Sequence, residues 1–169
     1  MSVWGSPVCL GGGSAEELTD IFGEPQTDTG TGYEITSDRG VYNGTAYRHN
    51  AFCSGGGVWG SATSGVPAWI RYRFTDGKKR VIRAFLFTTC VSAYGGGFSA
   101  TAFTLQGSND DFVTFDTLYI YSGSATYNAQ RVFLTSNTAY SAFRIYITAT
   151  NGTYYPAVNG IGALGYIRS

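Results

Sequence analysis

The side chains in this sequence best suited to meet a ligand are tyrosines placed beside turn-forming residues. The chain carries 13 Tyr and 24 Gly against a single His. One segment, 42–50, holds Tyr42, Tyr47, Arg48 and His49; a second, 92–98, sets Tyr94 beside Gly95-Gly96-Gly97; a third, 151–156, sets Tyr154 and Tyr155 after Asn151-Gly152. A phenol ring is rigid and flat, with apolar faces and a polar tip. Such a ring covers the C–H side of a pyranose, while fixed polar groups around it exchange hydrogen bonds with the hydroxyls. In these segments the residues able to meet a ligand are Tyr42, Tyr47, Arg48, His49, Tyr94, Asn151, Tyr154 and Tyr155. Packing against a core, or plain surface exposure, is the competing use of each.

Other chemistries find little support. Glycoside hydrolysis needs two carboxylates flanking the bond, and beyond residue 38 the acids are Asp76, Asp110, Asp111 and Asp116, all at turn-like positions. The sequence has no nucleophile elbow, no phosphate-binding loop and no clustered His/Cys set. One His makes neither a convincing triad nor a metal centre. The three cysteines, Cys9, Cys53 and Cys90, are odd in number and widely spaced, which argues against a disulfide framework or a zinc site and reads as small buried hydrophobes. No enzyme activity, metal or cofactor is expected.

The elements that would position the tyrosines are strands. A length of 169 residues suits one domain, or one domain plus an arm. Abundant Tyr, Phe, Thr, Val and Ile favour pleated surfaces, and the glycines predict many tight turns. From about residue 40 the apolar period is two. Ile70, Tyr72 and Phe74 alternate with Trp69, Arg71 and Arg73; Phe143, Ile145 and Ile147 alternate with Arg144, Tyr146 and Thr148. Residues 81–89 read as a continuous apolar strand, and 75–78, 107–110 and 151–152 as turns. The two Asn-Gly-Thr sequons, at Asn43 and Asn151, read as turns as well.

Residues 1–38 differ. Ser14-Ala15-Glu16-Glu17 fits a capping box, and Leu18, Ile21 and Phe22 give a short apolar stripe ending at Gly23, which predicts a two-turn helix. These 38 residues hold seven acids and no base, whereas the remainder holds eleven bases and four acids. Three readings stay open: chance, an acidic arm lying on its own or a neighbour's basic body, or a body facing an anionic surface. Arg71, Arg73, Lys78, Lys79, Arg80 and Arg83 form a basic cluster, read first as a solvated outer face, otherwise as a contact for the arm, a partner subunit or an anionic polysaccharide. No basic run suggests nucleic-acid binding. No secretory signal opens the sequence, and no apolar stretch approaches the roughly 18 residues of a membrane span.

Three segments, in this order, resemble the discoidin family, which includes the C-type domains of coagulation factors five and eight and the carbohydrate-binding modules of family 32. They are Asn50-Ala51-Phe52 with Val58-Trp59-Gly60-Ser61 and Pro67-Ala68-Trp69-Ile70; Phe103-Thr104-Leu105-Gln106-Gly107-Ser108-Asn109-Asp110 with Phe115 to Leu118; and Phe143-Arg144-Ile145 with Asn151-Gly152 and the closing segment to Gly165. The resemblance covers roughly 40–167. It implies an all-β, eight-stranded antiparallel jelly roll with a galactose-binding-like fold, whose ligands, often sugars and in some members lipid headgroups, sit at loops on one rim. It brings the three Tyr-bearing loops to that rim, which is what marks Tyr42, Tyr47, Arg48, His49, Tyr94, Asn151, Tyr154 and Tyr155 as candidate ligand-binding residues, and it makes Trp59 and Trp69 core residues. Calcium-binding members use carbonyls plus an acid where Cys53 stands here, and a further acid near the C-terminus where 158–164 has none, so no structural calcium is expected.

The expectation is therefore a short acidic N-terminal arm, 1–38, serving as attachment segment, and a discoidin-like domain, 39–169, that binds a glycan or bacterial surface polysaccharide and catalyses nothing. In style the chain resembles phage tail or capsid accessory proteins. That implies a multi-copy or oligomeric virion protein, joined to other virion proteins through its arm and touching the host surface; a bacterial surface or a non-classical extracellular route is the alternative setting. Neither nucleic-acid binding nor membrane insertion is expected. The rivals are a purely structural virion decoration or assembly subunit and, further off, an accessory domain of an enzyme.

Overall fold

The computed structural model of the chain describes residues 17–44, 46–53, 58–89, 98–125, 128–152 and 155–168. Two antiparallel sheets enclose one core. The first runs, edge to edge, β2 (Thr29–Gly30), β3 (Tyr33–Ser37), β5 (Ala68–Phe74), β10 (Ala142–Thr150), β7 (Ala100–Ser108) and β8 (Asp116–Ser122). The second is built on β11 (Ala157–Arg168). One edge of β11 pairs with β6 (Lys79–Thr88), which in turn pairs with β9 (Gln130–Phe133); its other edge is shared by β1 (Thr19–Asp20) and β4 (Val58–Gly60). Eight of these strands have four or more residues. Among the described residues the only helical pieces are two short 3-10 turns, Tyr42–Gly44 and Arg48–Phe52.

The alternation read from the sequence decides which side of each strand is buried. Ala68, Ile70, Tyr72 and Phe74 point inward from β5, and Phe143, Ile145 and Ile147 from β10; Trp69, Arg71, Arg73, Arg144 and Tyr146 are half-exposed on the outer side. The near-continuous apolar run of β6 supplies Phe85 and Phe87, which pack against Phe103 of the opposite sheet with ring centres 6.3 and 5.1 Å apart. Rings buried so fully are each worth roughly 1.5–3 kcal/mol relative to exposure. Trp59 is fully buried as expected, but Trp69 is not a core residue. It shares the outward phase with Arg71 and Arg73, and period two allows no mixture.

The expected Asp-Gly turn forms, with Gly77 at a φ of 75° and the Lys78 N–H donating to Asp76 Oδ1 at 3.0 Å. It is not a hairpin: it carries the chain from the first sheet to the second.

The N-terminal segment departs most from expectation. Where a helix was expected through residues 14–22, Thr19 and Asp20 are a strand paired with Gly165 and Leu164. The first part of that stretch, to residue 16, lies outside the described residues. Nor does residue 38 divide an arm from a body, because β3 pairs with β5 along its whole length and β1 lies on β11. Ile21 and Phe22 are buried, and Phe22 O accepts the Tyr72 hydroxyl at 2.8 Å. For residues 19–22, pairing and packing against long-range partners outweigh the local apolar stripe.

Candidate functional site

One pole of the sandwich is formed where β10 ends, β11 and β7 begin, and β4 ends. Backbone bonds tie its loops together: Asn151 N to Ser99 O, Ala157 N to Phe98 O and Ser61 N to Pro156 O, each 2.9 Å. Above this frame stand three half-buried rings. Tyr42 and Tyr155 lie 4.8 Å apart between centres, Tyr42 and Phe98 5.8 Å, and Phe98 and Tyr155 5.9 Å with planes only 14° apart. Gly60 makes room for this, since a Cβ there would come within 3.3 Å of Tyr42 Cβ. Asn151 is exposed in the neighbouring turn. The cluster thus joins three chain segments, and two of its rings, Tyr42 and Tyr155, are expected site residues. Phe98 was not singled out from the sequence; a bulky apolar residue directly after Gly95-Gly96-Gly97 was its available signal.

The rest of the first loop is used differently. Tyr47 is 47% exposed and stacks on His49 at 5.6 Å with planes 13° apart. His49 and Arg48 are held by Asp28. The His49 N–H donates to Asp28 Oδ1 at 2.9 Å, the His49 ring Nδ1 lies 3.0 Å from the same oxygen, and Arg48 Nη1 donates to Oδ2 at 3.0 Å. Arg48 also donates to Ser37 Oγ at 2.8 Å and to Arg39 O at 3.4 Å. Burial works to raise the Asp28 pKa, but the His49 N–H, the His49 ring and the Arg48 guanidinium together hold it below the ordinary carboxylate value. Arg48 and His49 thus tie this loop to Asp28, and His49 carries the stacked Tyr47 ring. Tyr94 and Tyr154 lie outside the described residues.

The basic cluster is largely spent within the chain. Arg73 pairs with Glu34, Arg71 with Asp111, and Arg80, nearly buried, with both oxygens of Asp76 at 2.7 and 2.6 Å. Arg83 donates to the 135–137 loop. Glu34 and Asp28 belong to the acidic N-terminal segment, so that segment meets its own domain.

Cys53 is half-buried, and its thiol donates to the carbonyls of Pro25 at 3.1 Å and His49 at 3.4 Å. Burial pushes the thiol pKa up and the Glu24 carboxylate adds to it. A protonated thiol among carbonyls is not a hard oxygen donor, so this position does not fit calcium. Among the described residues no group of three or more His, Cys, Asp or Glu is placed to hold a metal ion.

No protein-family model matches the chain, and no curated protein matches it. Solved structures do. The family 32 carbohydrate-binding module of C. perfringens NanJ, in complex with galactose, has a TM-score of 0.62 at 12% identity, covering 78% of this chain and 93% of that one. Carbohydrate-binding module 62 of Clostridium thermocellum Xyl5A has a TM-score of 0.64 at 21% identity, covering 83% and 97%. The F5/8 type C domain of a Bacteroides fragilis protein has 0.59 at 16%, covering 78% and 90%. The fold is the discoidin-like jelly roll. In this jelly roll the three-ring cluster lies among loops at one end of the sandwich, and the core beneath it is continuous with both sheets.

Proposed function

We propose that this discoidin-like jelly roll is a non-catalytic sugar-binding module whose ligand sits on Tyr42, Phe98 and Tyr155. The observation that carries the reading is the convergence of these three half-buried rings from separate loops at one pole, beside the exposed Asn151 turn. Half-buried rings on a hydrogen-bonded frame lose little freedom on binding, and the part of each ring that is exposed is apolar area suited to the C–H groups of a pyranose. The fold's likeness to modules solved with galactose and with GalNAc-β-1,3-galactose favours a galactose-type sugar. We place the protein in many copies on a phage particle, meeting host surface glycans, where weak single sites gain strength by number.

A structural role in such a particle is the second reading. Val113, Phe115, Ile120, Phe133 and Ile167 are large exposed apolar side chains suited to subunit contacts. A glycan array followed by titration calorimetry separates the two. A sugar binder gives a hit that Tyr155→Ala and Tyr42→Ala abolish while melting behaviour is kept. Binding unchanged in both variants removes the rim from the reading, and no hit on any array favours the structural subunit.

A further inference from the structure

The outer side of the six-stranded sheet carries a second cluster that the rim does not use. Register places Trp69 of β5 directly opposite Tyr146 of β10, and Arg71 directly opposite Arg144. Two aromatic residues therefore occupy facing positions on the outer side of the sheet, with two arginines one step along. Like charges directly opposite each other destabilise a sheet. Arg71 is compensated by Asp111, and its Nε donates to Thr36 Oγ1 at 2.9 Å. Arg144 has neutral partners only: its Nε and Nη2 donate to Gln106 Oε1 at 2.9 and 2.6 Å. Its guanidinium carbon lies 4.3, 5.4 and 5.2 Å from the ring centres of Phe112, Phe115 and Tyr146.

This arrangement fixes the Arg144 plane without neutralising it. Burial lowers the Arg144 pKa and the neighbouring Arg71 charge adds to the effect, while the Tyr146 hydroxyl opposes it. Among the described residues no protein group accepts from Arg144 Nη1 or Arg71 Nη2; Arg144 is half-exposed, and the Arg71 side chain keeps 14% of its exposure. Two N–H groups with no protein acceptor, one on each of the facing arginines, suit the two oxygens of a carboxylate, which takes paired N–H bonds from guanidinium groups. Trp69 and Tyr146 supply flat apolar area on the same side of the sheet.

We propose that this face binds an acidic saccharide, with its carboxylate on Arg144 and Arg71 and a pyranose ring on Trp69 and Tyr146. The site is separate from the rim and does not rest on the rim's ligand.

Calorimetric titration of the full chain with a galacturonic acid hexamer, and with a neutral galactose hexamer, tests it. The acidic hexamer binds, and binding weakens as salt rises from about 20 mM to about 200 mM. Arg144→Gln and Trp69→Ala each weaken it about tenfold or more, whereas Tyr155→Ala leaves it unchanged. Arg144→Lys, which keeps the charge but loses the planar fork, falls between wild type and Arg144→Gln. Melting curves of each variant confirm a retained fold, and Trp69→Phe, which keeps a ring, retains most of the binding should Trp69→Ala unfold. The proposal is overturned if Trp69→Ala weakens the neutral hexamer as much as the acidic one, if Arg144→Gln binds the acidic hexamer like wild type, or if single-stranded DNA of matched charge binds more tightly than the hexamer. Loss of neutral-sugar binding in Tyr155→Ala with acidic binding intact supports both sites independently.

Discussion

Asp28→Asn keeps the size of the side chain but removes the charge that fixes the 47–50 loop. The carboxylate accepts from the His49 N–H and from Arg48, and it faces the His49 ring at 3.0 Å. Hydrogen bonds to charged groups are worth about 1.5–3 kcal/mol each when sheltered. Here the Asp28 and Arg48 side chains keep 27% and 25% of their exposure, so screening reduces the gain. The asparagine still accepts one N–H, and its amide faces Arg48. A net cost of about 2 kcal/mol follows, which in a domain of this size lowers Tm by about 4–8 °C. The sign with pH is fixed by the depressed Asp28 pKa. Its contribution is complete above the ordinary value of 3.8 and is lost as pH falls through the lower folded-state value. Thermal melts by circular dichroism at pH 7, 5 and 3 read both effects: the gap between wild type and variant is full at pH 7 and 5 and shrinks at pH 3. A gap below about 1 °C at pH 7, or one that is as wide at pH 3, refutes the assignment of Asp28 as the anchor of this loop.

Other expectations are simpler to read. Gly165→Ala places a Cβ against the Val81 carbonyl, which belongs to backbone and cannot turn aside; denaturant melts should show a loss of about 3 kcal/mol or no folded protein at all. Asp76→Asn takes the charge from a carboxylate that Arg80 holds far below its usual pKa, and leaves a guanidinium packed 4.0 Å from the Phe74 ring with half its partnership. A loss of about 2 kcal/mol is expected by the same melts. Cys53, with its raised thiol pKa and two carbonyl acceptors, should label slowly with iodoacetamide at pH 7 and rapidly in urea, as followed by peptide mass spectrometry.

Period two made the body of this fold legible. The alternations at 69–74 and 143–148 state which side faces the core, and the structure follows them residue for residue. Trp69 shows the same rule in conflict with a resemblance: family likeness puts it inside, its own phase puts it outside, and the phase is right. The edge contributed by 19–37 was not legible. Thr19–Asp20 is too short to have a period, and β3 places a single fully buried side chain, Ile35, inward. Both strands exist because β11 and β5 offer unpaired edges far away in sequence. The site was legible in part for the same reason. Tyr42 and Tyr155 could be picked from their turns, whereas the assignment of Arg48 and His49 to Asp28, some 20 residues earlier, depends on chain proximity that no local pattern encodes.

The pairing of Thr19 with Gly165 gives the molecule a polarity. β11 begins at Ala157, beneath the rings, and by Gly165 it has travelled about 26 Å toward the opposite pole. Anything coupled to the chain near Arg168 is held at the far end from Tyr42 and Tyr155. A surface loaded through that end would display the aromatic tip to the surrounding medium, like bristles on a brush, without a linker to turn it outward.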